Sequence, residues 1–220
     1  MNIYILDTEV NSLEHRECIE LGYIKLDKNY NPIRSYNKLF SAKNDVSFGA
    51  MAVHNILPEY LESLPLFSKD KIFPIDYLIG HNIDFDWEVI GKPDCKRICT
   101  LAIARELLPK IDSHTLAALT YYFSTNREKT KTDLKQAHSA AADCKFTLSL
   151  LSNLIKLSFD KVPSIEELYI FSELCRIPKI MTFGKYKGYL IKDLPLSYKQ
   201  WLLNQPDLDK YFKEALTKTN

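Results

Sequence analysis

Asn2-Ile3-Tyr4-Ile5-Leu6-Asp7-Thr8-Glu9 begins the chain with a short apolar run that breaks off at two carboxylates two positions apart. Four successive apolar residues, two of them β-branched isoleucines, read as a buried strand. Side chains alternate across a strand, so Asp7 and Glu9 leave one face together at its carboxyl end. Two like charges in a partly buried place repel unless a cation neutralises them, and an all-oxygen donor set suits a hard divalent ion such as Mg²⁺. Taken by itself, the pair reads equally well as an Asp that starts a turn beside a solvated Glu.

The chain after this stretch alternates strand and helix patterns. Ile19 to Leu26 alternates apolar and polar residues, Asp27 to Pro32 supplies turn residues, and Ile33 to Phe40 reads as a third strand closing an antiparallel hairpin. The spacing of Met51, Val53, Ile56, Leu57, Tyr60 and Leu64 predicts short helices broken at Pro58 and Pro65. Asp76 to Gly80 is a further apolar strand, and it runs into His81-Asn82-Ile83-Asp84-Phe85-Asp86. Arg97 to Leu101 fits an edge strand, with Thr100 placed to cap a helix over Leu101 to Leu108. A helix is expected over Ser113 to Phe123, and Ser124 to Lys135 reads as an exposed basic loop.

That loop leads into Gln136-Ala137-His138-Ser139-Ala140-Ala141-Ala142-Asp143 and a helix running to about Leu157. Small residues around Asp143 let the helix lie close to a sheet and bring a carboxylate to its edge. His138 and Asp143 stand five residues apart. Five residues turn about 500° around an ideal helix, so the two face one point only if His138 precedes the regular helix. Further on, Ser164 and Glu167 have the spacing of a capping box.

At 220 residues, 46% hydrophobic and 26% charged, the chain has room for one full domain and a smaller piece. A net charge of +1 gives no global attraction to nucleic acid, but eight Lys against four acids from Lys179 onward concentrate positive charge in the tail. Five scattered cysteines outline neither a zinc site nor a disulfide framework. No leader, membrane span or membrane partner is expected, and the location expected is the cytoplasm.

Asp7-Thr8-Glu9, His81 to Asp86 and His138 to Asp143, in that order, resemble the D-x-E, H-N-x-x-F-D and H-x-A-x-x-D motifs of the DEDDh 3′-5′ exonucleases. Ala50 to His54, Ile98 to Leu101 with Ala104-Arg105, and Thr182 to Gly188 are similar to one member of that group, so the likeness runs through nearly the whole chain. It departs from the family at Val10, Ser12 and Ile83, where Thr, Gly and a small residue are usual; this bears on the nucleotide pocket rather than on the metal ligands. A haloacid-type phosphatase also ends a strand in an acid, but it wants Asp where Glu9 stands.

The resemblance implies a ribonuclease H-like α/β fold, a mixed five-stranded sheet flanked by helices with its first strand central. The exonuclease domain is expected over residues 1–158, a linker helix over 159–180 and a basic, aromatic accessory module over 181–220. The implied catalytic residues are Asp7, Glu9, Asp86, His138 and Asp143. The four acids would hold two Mg²⁺ or Mn²⁺ ions, and His138 would act as general base. Thr8, Leu13, His54 and Asn82 are the implied substrate contacts. The implied substrate is the 3′ end of DNA, single-stranded or duplex, in DNA repair, and the tail is expected to hold nucleic acid or a partner protein and to be dispensable for the chemistry. An exoribonuclease or polymerase proofreading subunit of the same group, and a nucleic-acid-binding scaffold with an inactive site, remain as alternatives.

Overall fold

The structure is a computed structural model that describes residues 1–218, without the side chains of Lys71 and Gln136. Two compact units divide the chain, Met1–Ser172 and Glu173–Asn220. In the first, β1 (Ile3–Val10), β2 (Cys18–Leu26) and β3 (Pro32–Leu39) form an antiparallel meander, while β4 (Tyr77–Gly80) and β5 (Lys96–Cys99) run parallel to β1. The order β3-β2-β1-β4-β5 puts β1 in the middle, as expected. Ile3, Ile5 and Leu6 are 0–1% exposed because both faces of a central strand are covered.

Those covers are helical. α1 (Phe48–His54) follows β3, α2 (Asp84–Val89) follows β4, α3 (Thr100–Leu107) continues from β5, and α4 (Leu116–Tyr122) and α5 (Arg127–Asp133) lead to the long α6 (Ala140–Ser158). α6 packs on β1 and β2 and is flanked by α3 and α4. On the opposite face Tyr4, Leu6 and Val10 pack with Ile83, Val89 and Ile90 of the α2 region. Thus β1 turns its odd-numbered side chains towards α6 and its even-numbered ones towards α2.

Three local expectations are corrected. Ser124 to Lys135 is largely helical: Asn126 caps α5 by accepting from the Lys129 amide at 3.0 Å, and Lys129 pairs with Asp133 one turn on. Thr100 does not cap α3; it is its first residue, and its hydroxyl donates to the Gly80 carbonyl at 3.2 Å, tying β4 to the start of the helix. Ile83 is fully buried over Gly80, where an added Cβ would meet its Cδ1 at 2.6 Å, so this departure from the family fills the core. The capping box forms: the Ser164 amide and hydroxyl both donate to Glu167 Oε2 at 2.7 Å, and the Glu167 amide donates back at 3.3 Å. It begins α7 (Ile165–Cys175), the helix within which the two units divide.

Candidate active site

The ends of three elements meet at the carboxyl end of β1. Asp7, Glu9 and Asp143 each offer a carboxylate oxygen within 4.8 Å of the others. Asp143 arrives in the first turn of α6, and β2 explains how that helix comes so close. Gly22 pairs with Asp7, and a Cβ at Gly22 would lie 2.5 Å from the Ala140 carbonyl carbon, so only glycine lets α6 rest on the sheet here. Asp86 is buried in α2, and its Oδ1 accepts from both the Thr8 amide (2.9 Å) and the Thr8 hydroxyl (2.8 Å). It lies outside the close group of three oxygens, yet its charge is felt at Asp7.

His138 adopts φ 63°, a left-handed backbone two residues before α6 begins, and its side chain is exposed. This break frees it from helical geometry and lets it sit beside Asp143. Burial raises the Asp143 pKa, while the His138 ring and backbone amide pull it back down.

The expected substrate contacts divide. Leu13 is 75% exposed in the β1–β2 connection. Thr8 is buried on the face of β1 opposite Asp7 and Glu9, so its hydroxyl is committed to Asp86 instead of being held out for a nucleotide. His54 is also buried, and its Nδ1 accepts from the Ile56 amide at 2.9 Å. Asn82 is exposed in a left-handed turn (φ 71°), and its carbonyl accepts from the Phe85 amide at 3.1 Å to start the turn into α2. His81 holds that turn in place, with Nδ1 against Thr100 Oγ1 at 3.0 Å and Nε2 against the His114 carbonyl at 2.9 Å.

One buried acid escaped the motif reading. Glu20 stands opposite Glu9 in the β1–β2 register and is only 5% exposed. Its Oε2 accepts from the Ala140 amide at 3.0 Å and its Oε1 from Asn37 Nδ2 at 2.7 Å. Ser139, the residue at the N-cap of α6, makes no side-chain cap bond, so a carboxylate from the sheet does this work and fixes the turn that carries Asp143. The available signal was an acid on the inward face of β2, two residues before a glycine. Glu20→Ala is expected to lower stability by about 0.5–2 kcal/mol, the range for a lost cap, and to lower turnover as well. Glu20→Gln should recover part of both; equal turnover in all three proteins, measured under saturating substrate, would contradict this role.

The acids are poised for a cation. Burial raises the Asp7 pKa well above the carboxylate range, with Asp86, Asp143 and Glu9 adding to it. Glu9 is pushed up to about 9 by burial and then by Asp143. Burial lifts Asp86 to about 7, against the two Thr8 hydrogen bonds. A carboxyl with a raised folded pKa binds its proton more tightly in the folded chain, so its stabilising contribution is complete below the unfolded pKa and lost as pH rises towards the folded one. Between about pH 7 and Glu9's value of about 9, the melting temperature of metal-free protein should therefore fall, and Mg²⁺ or Mn²⁺ should restore it increasingly. His81, lowered to about 4 by burial, is neutral throughout that window and does not confuse the reading. A flat melting temperature would contradict the repulsion among the acids.

A central strand whose end gathers acids from β1, α2 and α6 is the frame of a ribonuclease H-like nuclease. The family model described as Exonuclease, that of RNase T, matches residues 4–151, and the chain belongs to this family as a 3′-5′ exonuclease of the DEDDh type. It is 26% identical over 215 residues to exodeoxyribonuclease 10 of Escherichia coli K12, a match covering 92% of this chain and 91% of that protein. It is 28% identical over 163 residues to DNA polymerase III subunit epsilon of Buchnera aphidicola, covering 63% of this chain and 66% of that one. Among solved structures it shares its fold with an exonuclease X in complex with 5′ overhanging duplex DNA (TM-score 0.59, 23% identity, 76% of this chain and 99% of that one). The same holds for E. coli exonuclease I in complex with a dA16 oligonucleotide (TM-score 0.58, 17% identity, 81% and 44%). Residues 171–206 match a separate family described as a putative quorum-sensing-regulated virulence factor. No helix among the described residues is long and apolar enough to cross a membrane.

Proposed function

We propose that the chain is a metal-dependent 3′-5′ exodeoxyribonuclease that releases nucleoside 5′-monophosphates from DNA 3′ ends. The observation that carries this is the meeting of Asp7, Glu9 and Asp143 within 4.8 Å, beside Asp86 and His138. DNA as the substrate is supported by the likeness to exodeoxyribonuclease 10 along 92% of the chain. Asp7, Glu9 and Asp143, with Asp86 beside them, would hold two Mg²⁺ or Mn²⁺ ions. Such ions supply, when bound, neutralisation of the phosphate oxygens and an attacking water of lowered pKa.

The chain's own residues account for the remaining work. His138 takes the proton of the attacking water on a ring nitrogen and, being exposed, returns it to solvent. Leu13 offers an uncovered apolar side chain to slip between the last two bases, where opening a base step costs about a few kcal/mol. Thr8 acts through Asp86, holding that carboxylate in place, and His54 and Asn82 shape the surrounding pocket. We assign the activity to DNA repair and, with five free cysteines, to the reducing cytoplasm. A proofreading subunit is the second reading, favoured by the likeness to polymerase III subunit epsilon.

Digesting matched DNA and RNA oligonucleotides side by side tests the substrate, since the two differ in the 2′-OH that a nuclease can read. DNA should shorten from its 3′ end much faster than RNA. Equal rates would remove the deoxyribose preference.

A further inference from the structure

The unit Glu173–Asn220 lies wholly outside the exonuclease match and has a core of its own, in which Met181, Ile191, Leu202, Phe212 and Leu216 are buried together. Its aromatic residues separate into two sets. Tyr211 and Phe212 are each 8% exposed and belong to the interior, whereas Tyr189 and Trp201 are 61% and 54% exposed. Two partly buried rings packed on that core join the exposed pair: Tyr189 meets Tyr186 at 5.8 Å between ring centroids, Tyr186 meets Tyr198 at 4.6 Å, and Tyr198 stacks on Trp201 at 5.4 Å. Exposed rings joined in this way make a contiguous apolar patch, the kind of surface that marks an interaction site.

A basic loop lies against this row. The Met181 amide donates to the Tyr189 carbonyl (2.9 Å) and the Gly188 amide to the Met181 carbonyl (2.8 Å), closing a loop whose turns need positive φ at Gly184 (69°) and Gly188 (89°). A Cβ on Gly184 would stand 2.9 Å from the Tyr198 hydroxyl, so glycine also allows the loop to rest against the rings. The loop carries Lys185 and Lys187 into solvent, and the Lys185 ammonium lies 5.4 Å from the Tyr186 ring centroid. The unit holds nine Lys and Arg against five Asp and Glu.

We propose that this face is a second DNA-binding site, in which Tyr189 and Trp201 stack on the bases of a single strand while Lys185 and Lys187 contact its phosphates. Unpaired bases present the flat faces that exposed rings can cover, and lysines beside those rings meet the backbone between them. Duplex DNA has its bases already stacked and offers the rings nothing. The surplus of positive charge favours a polyanion over an apolar protein segment. The proposal goes beyond the nuclease reading and takes from it only the choice of DNA as ligand.

The test uses the full chain in EDTA, so that nothing is cut, with a labelled oligo-dT followed by fluorescence anisotropy. The Tyr189→Ala/Trp201→Ala double variant should bind on the order of tenfold or more weakly, given the effect of removing stacked rings. Lys185→Gln/Lys187→Gln should flatten the slope of log K against log salt by about 1.4, or about 0.7 for each single-strand phosphate that is no longer neutralised. Both pairs lie at the surface, and a melting curve of each variant establishes that the fold is kept. Unchanged affinity and slope in both variants would overturn the proposal and leave the face to a protein partner. Tighter binding of blunt duplex that survives the aromatic substitutions would overturn it too. Cleavage in Mg²⁺ is scored separately: loss of binding in a chain that never cuts would sink the nuclease reading alone, and cutting without any effect of these residues on binding would sink this one alone.

Discussion

Replacing Asp7 with Asn should abolish metal-dependent cleavage, by about a thousandfold or more, and at the same time raise the melting temperature of metal-free protein. The first effect follows from position. Asp7 is the acid at which burial, Asp86, Asp143 and Glu9 all act, so it is the charge a cation would neutralise first. Charge stabilisation by bound metal is worth several kcal/mol at a transition state, and each 1.4 kcal/mol is about a factor of ten in rate. The second effect follows from the same burial and repulsion: Asn keeps the shape of Asp but escapes the cost of either charging or protonating a buried carboxyl at pH 8, which should stabilise the protein when no metal is present. Calorimetry with Mn²⁺ and a melting curve read the two effects separately. A variant that still binds Mn²⁺ as tightly as the parent, or that melts lower without metal, would contradict the assignment of Asp7 to the centre of the site.

His138→Ala should lower turnover by about two orders of magnitude or more while leaving Mn²⁺ affinity nearly intact, as expected for loss of a general base. The side chain is exposed and lies outside the group of Asp7, Glu9 and Asp143, which argues for proton transfer and against ligation. Its left-handed backbone (φ 63°) holds it clear of α6, and alanine tolerates that conformation less well than histidine. His138→Gln therefore serves as a control that keeps a polar side chain without basicity near neutral pH. If either variant loses Mn²⁺ binding, His138 has been given the wrong role.

Much of this site was legible because its chemistry is written in short local patterns. An apolar run ending in Asp-x-Glu fixed β1 and one face of the site, and the five-residue gap between His138 and Asp143 already required a break before the helix, which the backbone at His138 provides. What sequence could not show depends on contacts across the fold. Glu20 acts on Ala140, a residue 120 positions away, and Gly22 matters only because α6 rests on it. The polar α5 carries no apolar stripe, so periodicity had nothing to detect, and its Asn126 cap and Lys129–Asp133 pair became readable only once the backbone was known. Thr8 shows the same limit: strand alternation sets it on the far face of β1, but its partner Asp86 comes from another element.

Digestion of a 5′-labelled DNA oligonucleotide in Mg²⁺, with the released product identified, tests the central claim most directly. The expected result is a ladder that shortens step by step from the 3′ end, nucleoside 5′-monophosphate as the product, and no cleavage in EDTA. Internal cuts, release from the 5′ end, or digestion that persists without a divalent ion would contradict it.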